Sequence, residues 1–176
     1  EIRPTDPVPK KPGLYYMRPN PIMDDDLVDA WLLKVHKQGG VGIFVDEGYA
    51  LPKAGKTAPF TMILTQGRTL HIPLICLYQR PTWMSRFVVE QSDFVRVFKI
   101  SDIRDRMQIK NFCPPAILPG GKELGPVDIN LLPNYHSLWH DVGRGHTAVL
   151  LPAPDRSVIL QNFKRRLSPQ TRRSFV

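Results

Sequence analysis

The sequence predicts an α/β fold with a mainly parallel sheet and flanking helices. Apolar stretches of strand length at residues 41–46, 72–79 and 93–100 alternate with stretches of helical pattern, and such alternation is typical of parallel strands joined by helices. The second stretch, IPLICLYQ, is almost continuously apolar, as central parallel strands are. Beyond residue 112 this rhythm breaks, and many prolines and glycines predict an irregular extension.

Four helices are predicted around these strands. Residues 24–40 form the clearest one, because three aspartates suit its first turn, apolar residues recur at helical spacing, and two glycines end it. The others are predicted at 58–68, 81–91 and 102–112, with Pro81 in the first turn of the second of these.

Two regions are expected from composition. Residues 1–112 would form the α/β core, and residues 113–176 a Pro/Gly-rich extension with a small hairpin at 146–161 and a basic tail. The chain begins with Glu1 and not with Met, so we expect a fragment or a processed product.

The chain of 176 residues carries a formal net charge of +8, which favours an anionic partner, nucleic acid first. A basic surface without such a partner is the alternative. No apolar run approaches the ~20 residues that a membrane span needs, and no signal peptide is recognisable. Cys76 and Cys113 show neither metal-site spacing nor a disulfide framework, so a reducing compartment is expected.

Polar residues follow each predicted strand. The first strand ends in Asp46 and Glu47, the second in Gln79 and Arg80, and the third leads into residues 101–106. In open parallel sheets, ligands bind beyond the carboxyl ends of the strands. In phosphoryl chemistry one carboxylate can hold Mg²⁺ and the next can accept a proton from the attacking water, while an amide nearby senses the γ-phosphate.

These residues carry a resemblance to a known family. VGIFVDEGYALP (41–52) resembles the Walker B strand of additional-strand P-loop ATPases, and LTQGRTLHIPLICLYQRP (64–81) resembles the next helix and sensor strand of FtsK/HerA-type DNA translocases. DFVRVFKISDIRDRMQIKNF (93–112) is similar to the strand and helix that follow. Within this group the chain looks most like the DNA-packaging ATPases of tailed or membrane-containing bacteriophages, over roughly residues 30–112. The resemblance implies a P-loop NTPase-like fold.

The resemblance implies a role for each strand-end residue. Asp46 would coordinate Mg²⁺, Glu47 would be the general base, and Gln79 would be the sensor. Arg68 would reach the nucleotide of a neighbouring subunit, and Arg80 is a weaker candidate for a nucleotide contact. Each has a structural alternative: the acidic pair could bind Arg or Lys, Arg68 could interact with the end of its own helix, and Gln79 could be an ordinary strand-end amide.

The pattern lacks a phosphate-binding loop ahead of the first predicted strand. ALPKAGKT (50–57) matches [AG]-x4-G-K-[ST], which would make Lys56 a nucleotide-binding lysine. However, it follows the strand that already ends in the acidic pair, and one strand can hardly present both groups to one nucleotide. We therefore expect a basic surface loop with Lys53 and Lys56 facing DNA. The phosphate loop would lie upstream of Glu1 or be lost, and the chain alone would hydrolyse ATP poorly or not at all.

The function implied is an ATP-driven DNA translocase, a subunit of a viral packaging motor. ATP and Mg²⁺ would be its cofactors, and its partners would be double-stranded DNA, further copies in a ring (a hexamer), and viral portal or vertex proteins. It would act in the host cytoplasm or the virion. The alternatives are a related ATPase for phage export or protein transport, and a non-catalytic nucleic-acid-binding module.

Two further clusters are ambiguous. Arg172 and Arg173 in the basic tail could contact DNA phosphates, or the tail could simply be solvated. His136 and His140 have the i,i+4 spacing that binds a metal on a helix, but a packed loop suits the same residues.

Overall fold

Five helices and seven strands make up the computed structural model, which describes residues 1–20, 23–48, 58–84 and 86–167. The helices are α1 (Asp25–Gln38), α2 (Pro59–Gln66), α3 (Arg86–Glu90), α4 (Ile103–Lys110) and α5 (Arg156–Leu167). The strands are β1 (Ile43–Val45), β2 (Leu74–Cys76), β3 (Phe94–Phe98), β4 (Ala116–Ile117), β5 (Glu123–Leu124), β6 (Ser137–Asp141) and β7 (His146–Leu150). The predicted α/β class is confirmed.

Helix α1 follows from its apolar spacing and its terminal glycine. Val28, Leu32 and Val35 are buried on one face, as the helical period requires. Gly39 ends the helix at φ +65, and its N–H donates to Val35 O at 2.8 Å. A Cβ at this position would lie 2.8 Å from the carbonyl oxygen of Leu70, so both the conformation and the space require glycine.

The first hydrophobic core lies on one side of a parallel β1–β2 pair. Strand residues Ile43 and Leu74 are register partners, and both pack against this core. Its buried members are Val8, Val28, Leu32, Val35, Phe60, Ile63, Ile72 and Val88. On the other side of the same two strands, Phe44 and Ile75 are register partners and are exposed.

The pairing direction of strand β3 differs from the expected mainly parallel sheet. It pairs antiparallel with β6, in a sheet ordered β3-β6-β7, and β4–β5 is antiparallel as well. Among the described strands only β1–β2 is a parallel pair. The reason lies in the alternation of β3, in which Phe94, Arg96 and Phe98 are exposed while Val95 and Val97 are wholly or partly buried; this is typical of an antiparallel sheet with one wet face.

The hairpin predicted at 146–161 lies earlier in the chain. Strands β6 and β7 form it, and the turn between them contains Gly145 at φ +62. Residues 156–167 continue as helix α5 instead of a strand. The sequence Gly-Arg-Gly marks the turn, because only glycine adopts this φ without strain.

A second hydrophobic core joins β3 and α4 to the Pro/Gly-rich region. Its buried members are Val97, Ile109, Cys113, Ala116, Leu124, Ile129, Leu132 and Leu138. These residues come from both sides of position 112. The division into an α/β core and an extension at that position stays a prediction.

Two local predictions are also corrected. The helix expected at 81–91 is split into a 3-10 turn, Pro81–Trp83, and the short α3, because Met84 has an extended backbone. His140 lies in strand β6 and His136 lies before it, so the two histidines do not share a helix face.

The part of the chain that the structure covers holds no group of three or more metal-ligating side chains. In the same part, no helix has both the length and the apolarity to cross a membrane.

Candidate active site

The ends of β1 and β2 are held together by backbone hydrogen bonds beyond the two strands. Leu77 N–H donates to Val45 O at 2.9 Å, and Gly48 N–H donates to Leu77 O at 2.8 Å. These bonds place residues 46–48 directly beside residues 77–79. The polar ends of two neighbouring parallel strands therefore form one edge, where open α/β sheets bind ligands.

Glu47 and Gln79 are brought into contact at this edge. The Gln79 Nε2 amide donates a hydrogen bond to Glu47 Oε1 at 3.0 Å, although the residues are 32 positions apart. Glu47 has φ +61, a left-handed conformation that is uncommon outside glycine and recurs at functional sites. The amide therefore orients the Glu47 carboxylate.

Gly48 and Tyr78 shape the turn that follows the acidic pair. A Cβ on Gly48 would lie 2.8 Å from Cζ of Tyr78, so the ring occupies the space of any side chain there. The Tyr78 hydroxyl is buried and has no hydrogen-bond partner among the described residues. Burial, and then the charge of Cys76, raise the pKa of Tyr78 to about 12, so the ring stays neutral.

Asp46 and Glu47 fit a magnesium ion by their chemistry. Both side chains are exposed at the sheet edge. Mg²⁺ is commonly held through one or two carboxylates, several waters and the phosphates of the substrate, without a cage of protein ligands. Two adjacent carboxylates meet that requirement, and the Gln79 amide bonds to Glu47, the second of the two.

Arg68 is paired within its own chain. It lies just after α2 and forms an ion pair with Asp93, which precedes β3. The two side chains are 79% and 60% exposed, so the pair is weak and can exchange for another anion. Arg68 does not join the Glu47–Gln79 contact.

Arg80 is anchored to helix α4. Its Nε donates to Asp105 Oδ2 at 2.6 Å, and its Nη2 donates to Asp102 Oδ2 at 2.9 Å. Its guanidinium also lies over the Trp83 ring, 5.7 Å from the centroid. A nucleotide contact would require Arg80 to leave two carboxylates, so the geometry favours an anchoring role directly after the sensor residue.

Asp105 is the residue at this site to which sequence reasoning gave no individual role. It is almost fully buried and also accepts hydrogen bonds from Thr82 N–H and Oγ1–H, at 3.0 and 2.8 Å. Burial alone would raise the pKa of Asp105, but the bonds from Thr82 and Arg80 outweigh burial and lower that pKa. One sequence signal was available, since Asp105 precedes the core residue Ile109 by four positions and shares its helix face.

Four predicted site residues cannot be placed. Lys53, Lys56, Arg172 and Arg173 lie outside the described residues, and so does the 50–57 match to a phosphate loop. The other five predicted site residues are described, and a side-chain hydrogen bond joins two of them, Glu47 and Gln79. The remaining three are Asp46, Arg68 and Arg80.

Comparison with known proteins identifies the family to which the chain belongs. No protein-family model matches the chain. The chain is 38% identical over 158 residues to the DNA packaging ATPase P9 of Enterobacteria phage PRD1, and the match covers 88% of the chain and 67% of that protein. The chain belongs to the P9 family of DNA packaging ATPases. The expected likeness to bacteriophage DNA-packaging ATPases is thereby confirmed.

Solved structures support the same fold for this P9-family chain. The genome packaging NTPase B204 of Sulfolobus turreted icosahedral virus 2, in complex with AMPPCP, superposes with a TM-score of 0.57 at 20% identity. The match covers 77% of the chain and 63% of B204. B204 of Sulfolobus turreted icosahedral virus gives a TM-score of 0.57 at 19% identity, with the same coverage. The chain thus spans less than two thirds of the length of these neighbours.

Proposed function

We propose that this chain is a subunit of an ATP-driven motor that moves viral double-stranded DNA into a capsid. The observation that carries the proposal is the hydrogen bond between Gln79 and Glu47 at the ends of adjacent parallel strands. Membership of the P9 family and the likeness to B204 support it.

Each side chain at the sheet edge has a separate task in ATP hydrolysis. Glu47 accepts the proton of the attacking water, and Gln79, which holds the Glu47 carboxylate in one orientation, senses the γ-phosphate. Asp46 would hold Mg²⁺. That ion supplies charge neutralisation on the phosphate oxygens when it is bound.

The phosphate-binding loop comes from another segment or another chain. In support, the β1–β2 face that ends in Asp46 and Gln79 is apolar and open: Phe44 is 64% exposed and Ile75 58%. Apolar sheet faces of this kind are normally covered. A covering element there would reach the carboxyl edge, where a phosphate loop is needed.

The motor works as a ring of identical subunits, which we expect to be a hexamer. Arg68 is at the surface, and among the described residues its side chain is held by an exposed ion pair with Asp93, so it can turn to the γ-phosphate in a neighbouring subunit, where an arginine stabilises developing charge. Lys53, Lys56, Arg172 and Arg173 are candidates for phosphate contacts with DNA, which would grip the duplex without reading its sequence. Portal or vertex proteins would position the ring on the capsid.

Packaging by a virus that carries Glu47→Gln tests this function. The substitution keeps the size of the side chain and removes the base, so we expect assembled particles that lack DNA. Glu90→Gln is a matched control, because Glu90 pairs with Arg86 on the exposed face of α3 and should leave packaging unchanged. Filled particles that stay in the host would favour an export ATPase, and normal release of filled particles would favour a non-catalytic module; either result overturns the proposal.

Nucleotide binding tests the source of the phosphate loop. We expect the purified chain to bind a fluorescent ATP analogue weakly with Mg²⁺ present and to show no sustained turnover. Lys56→Ala should then behave like Lys122→Ala, a control in the exposed turn between β4 and β5. Tight binding that Lys56→Ala abolishes would instead assign the phosphate loop to residues 50–57.

A further inference from the structure

One face of the β3-β6-β7 sheet carries an exposed group of aromatic and cationic side chains. Phe94, Arg96 and Phe98 alternate along β3 on this side, and Trp139 of β6 is the register partner of Arg96. The Phe94 and Trp139 rings are stacked, with centroids 4.9 Å apart and planes at 27°. We call these four residues the aromatic face.

The fold does not require rings at these positions. The opposite side of the same strands supplies Val97 and Leu138 to the second core, and both are buried. Phe94 is 53% exposed and Phe98 is 49% exposed. Contiguous exposed apolar groups on a folded domain usually mark a binding surface.

A guanidinium lies within the aromatic face and is held in place. Arg96 Cζ is 4.7 Å from the centroid of the Phe98 ring, and Arg96 Nε donates to Ser137 Oγ at 3.0 Å. Within the described ranges no carboxylate forms an ion pair with Arg96. The positive charge is therefore oriented but not neutralised, which suits an anionic ligand that also offers a planar surface.

An open cleft of about 270 Å³ adjoins the aromatic face. Arg96 and Phe98 form one side, and Tyr135, Pro152 and Ala153 line the rest. The cleft is thus lined by two aromatic residues, a proline, an alanine and an arginine. A planar heterocycle attached to a phosphate matches this combination of flat walls and positive charge.

We propose that the aromatic face binds single-stranded nucleic acid by stacking unpaired bases on Phe94 and Phe98, with Arg96 contacting a phosphate. Exposed sheet aromatics interleaved with cations are the usual means of binding single strands. An apolar protein surface would leave the charge of Arg96 buried and unpaired, which is costly, so nucleic acid is the favoured occupant. The inference goes beyond the proposed function, which concerns duplex DNA, and it uses no residue of the nucleotide site.

Fluorescence anisotropy with a labelled oligo(dT) of about 20 nucleotides tests the proposal on the purified chain. Phe94→Leu and Phe98→Leu each remove a ring and keep apolar volume, and each should weaken oligo(dT) binding about fivefold or more. Phe44→Leu is the matched control, because Phe44 is a ring on the other sheet that is 64% exposed, and it should change binding less than twofold. Affinity for a duplex of the same length should stay within twofold in all three, because its bases are not available for stacking.

Salt dependence tests the part assigned to Arg96. Arg96→Gln should reduce the magnitude of the slope of log affinity against log salt by about one, which corresponds to the loss of one phosphate contact. Unchanged oligo(dT) affinity in both leucine variants would overturn the proposal. So would a change of oligomeric state in Phe98→Leu, measured by light scattering, without an effect on oligo(dT), because the face would then join copies of the chain. Failure of the proposed packaging function would instead appear as normal packaging by the virus that carries Glu47→Gln, a variant that leaves the aromatic face intact.

Discussion

At the scale of single residues, the absence of a side chain at Gly48 shapes the turn after the acidic pair. Gly48 is the residue on which the Glu47 turn and the Tyr78 ring depend, because the ring fills the space beside its Cα. The interaction links a residue directly after the candidate base to the residue directly before the candidate sensor. Packing at this point therefore controls whether Glu47 and Gln79 meet.

Gly48→Ala is predicted to destabilise the fold by about 1–3 kcal/mol, because its Cβ would overlap the Tyr78 ring. Urea denaturation measures the loss. Gly42→Ala, directly before β1, is the control, since its Cβ would meet nothing closer than Pro73 Cγ at 3.4 Å. In the double variant with Tyr78→Ala the cost of Gly48→Ala should largely vanish; strictly additive costs would contradict the steric explanation.

Asp105 links the end of the sensor strand to α4 through charge. Its folded-state pKa is lowered, so the carboxylate stabilises the fold fully above its ordinary pKa of about 3.9. As pH falls below that value, the unfolded chain binds the proton first, and the contribution is lost as pH drops through the folded-state pKa.

Asp105→Asn is predicted to cost about 2 kcal/mol at pH 7, because a charged acceptor for Arg80 and Thr82 becomes neutral. The half-exposed guanidinium keeps this figure below that of a fully buried pair. Urea melts from pH 7 to pH 3 should show the difference from the unmodified chain shrinking on acidification. Asp128→Asn, an exposed control, should differ little at any pH, and a constant difference for Asp105→Asn would contradict the linkage.

At the scale of the elements, one β-hairpin of this chain contains a buried polar pair. The β6–β7 hairpin holds the ring of His140 against Thr147, with Nδ1 and Oγ1 3.0 Å apart and both residues buried. These residues are register partners on the face that packs into the second core. The pair fixes the hairpin register, because a slip of one residue would leave the imidazole without its partner.

Thr147→Val is predicted to destabilise the hairpin and the second core by about 1–3 kcal/mol, because it keeps the shape and leaves a buried His140 nitrogen unpaired. Thermal unfolding measures the effect. Thr65→Val is the control, since its hydroxyl bonds only within the exposed turn of α2, and it should stay within about 0.5 kcal/mol. Equal losses in the two variants would show that the His140 bond contributes nothing specific.

At the scale of the whole molecule, each of the two cores contacts one cysteine. Cys76 packs against the first core and Cys113 belongs to the second. Burial raises the pKa of each thiol to about 11, and for Cys113 a hydrogen bond from Thr147 acts in the opposite direction. Neither thiol is therefore reactive at neutral pH while both cores are intact.

Alkylation by iodoacetamide is predicted to be roughly a hundredfold slower in the folded chain at pH 8 than in urea, because a thiol of pKa about 11 is scarcely ionised there. The rate should rise about tenfold per pH unit below that pKa, as the thiolate fraction does. Mass spectrometry of Cys76→Ser and Cys113→Ser separates the two sites. Fast labelling of the remaining thiol in either variant would show that its core opens.

Local sequence patterns predicted most elements of this fold. The positions of α1, α2 and β2 follow from apolar spacing, glycine and proline, which act over a few residues. The strand-end residues Glu47 and Gln79 could also be picked out, because polar groups directly after apolar strands mark the ligand edge of an α/β sheet. The roles assigned to these residues stay predictions.

The sequence by itself determined the α/β class, the polar strand ends and the net positive charge, since each depends on residue type and short-range order. Only the tertiary structure decided that β3 pairs with β6, that Arg80 is bound to Asp105, and that an arginine lies among exposed rings. These contacts join positions 25 or more residues apart, except for Arg96 and Phe98 on one strand. No local period encodes the choice between distant partners, because that choice depends on the free energy of the complete packed arrangement.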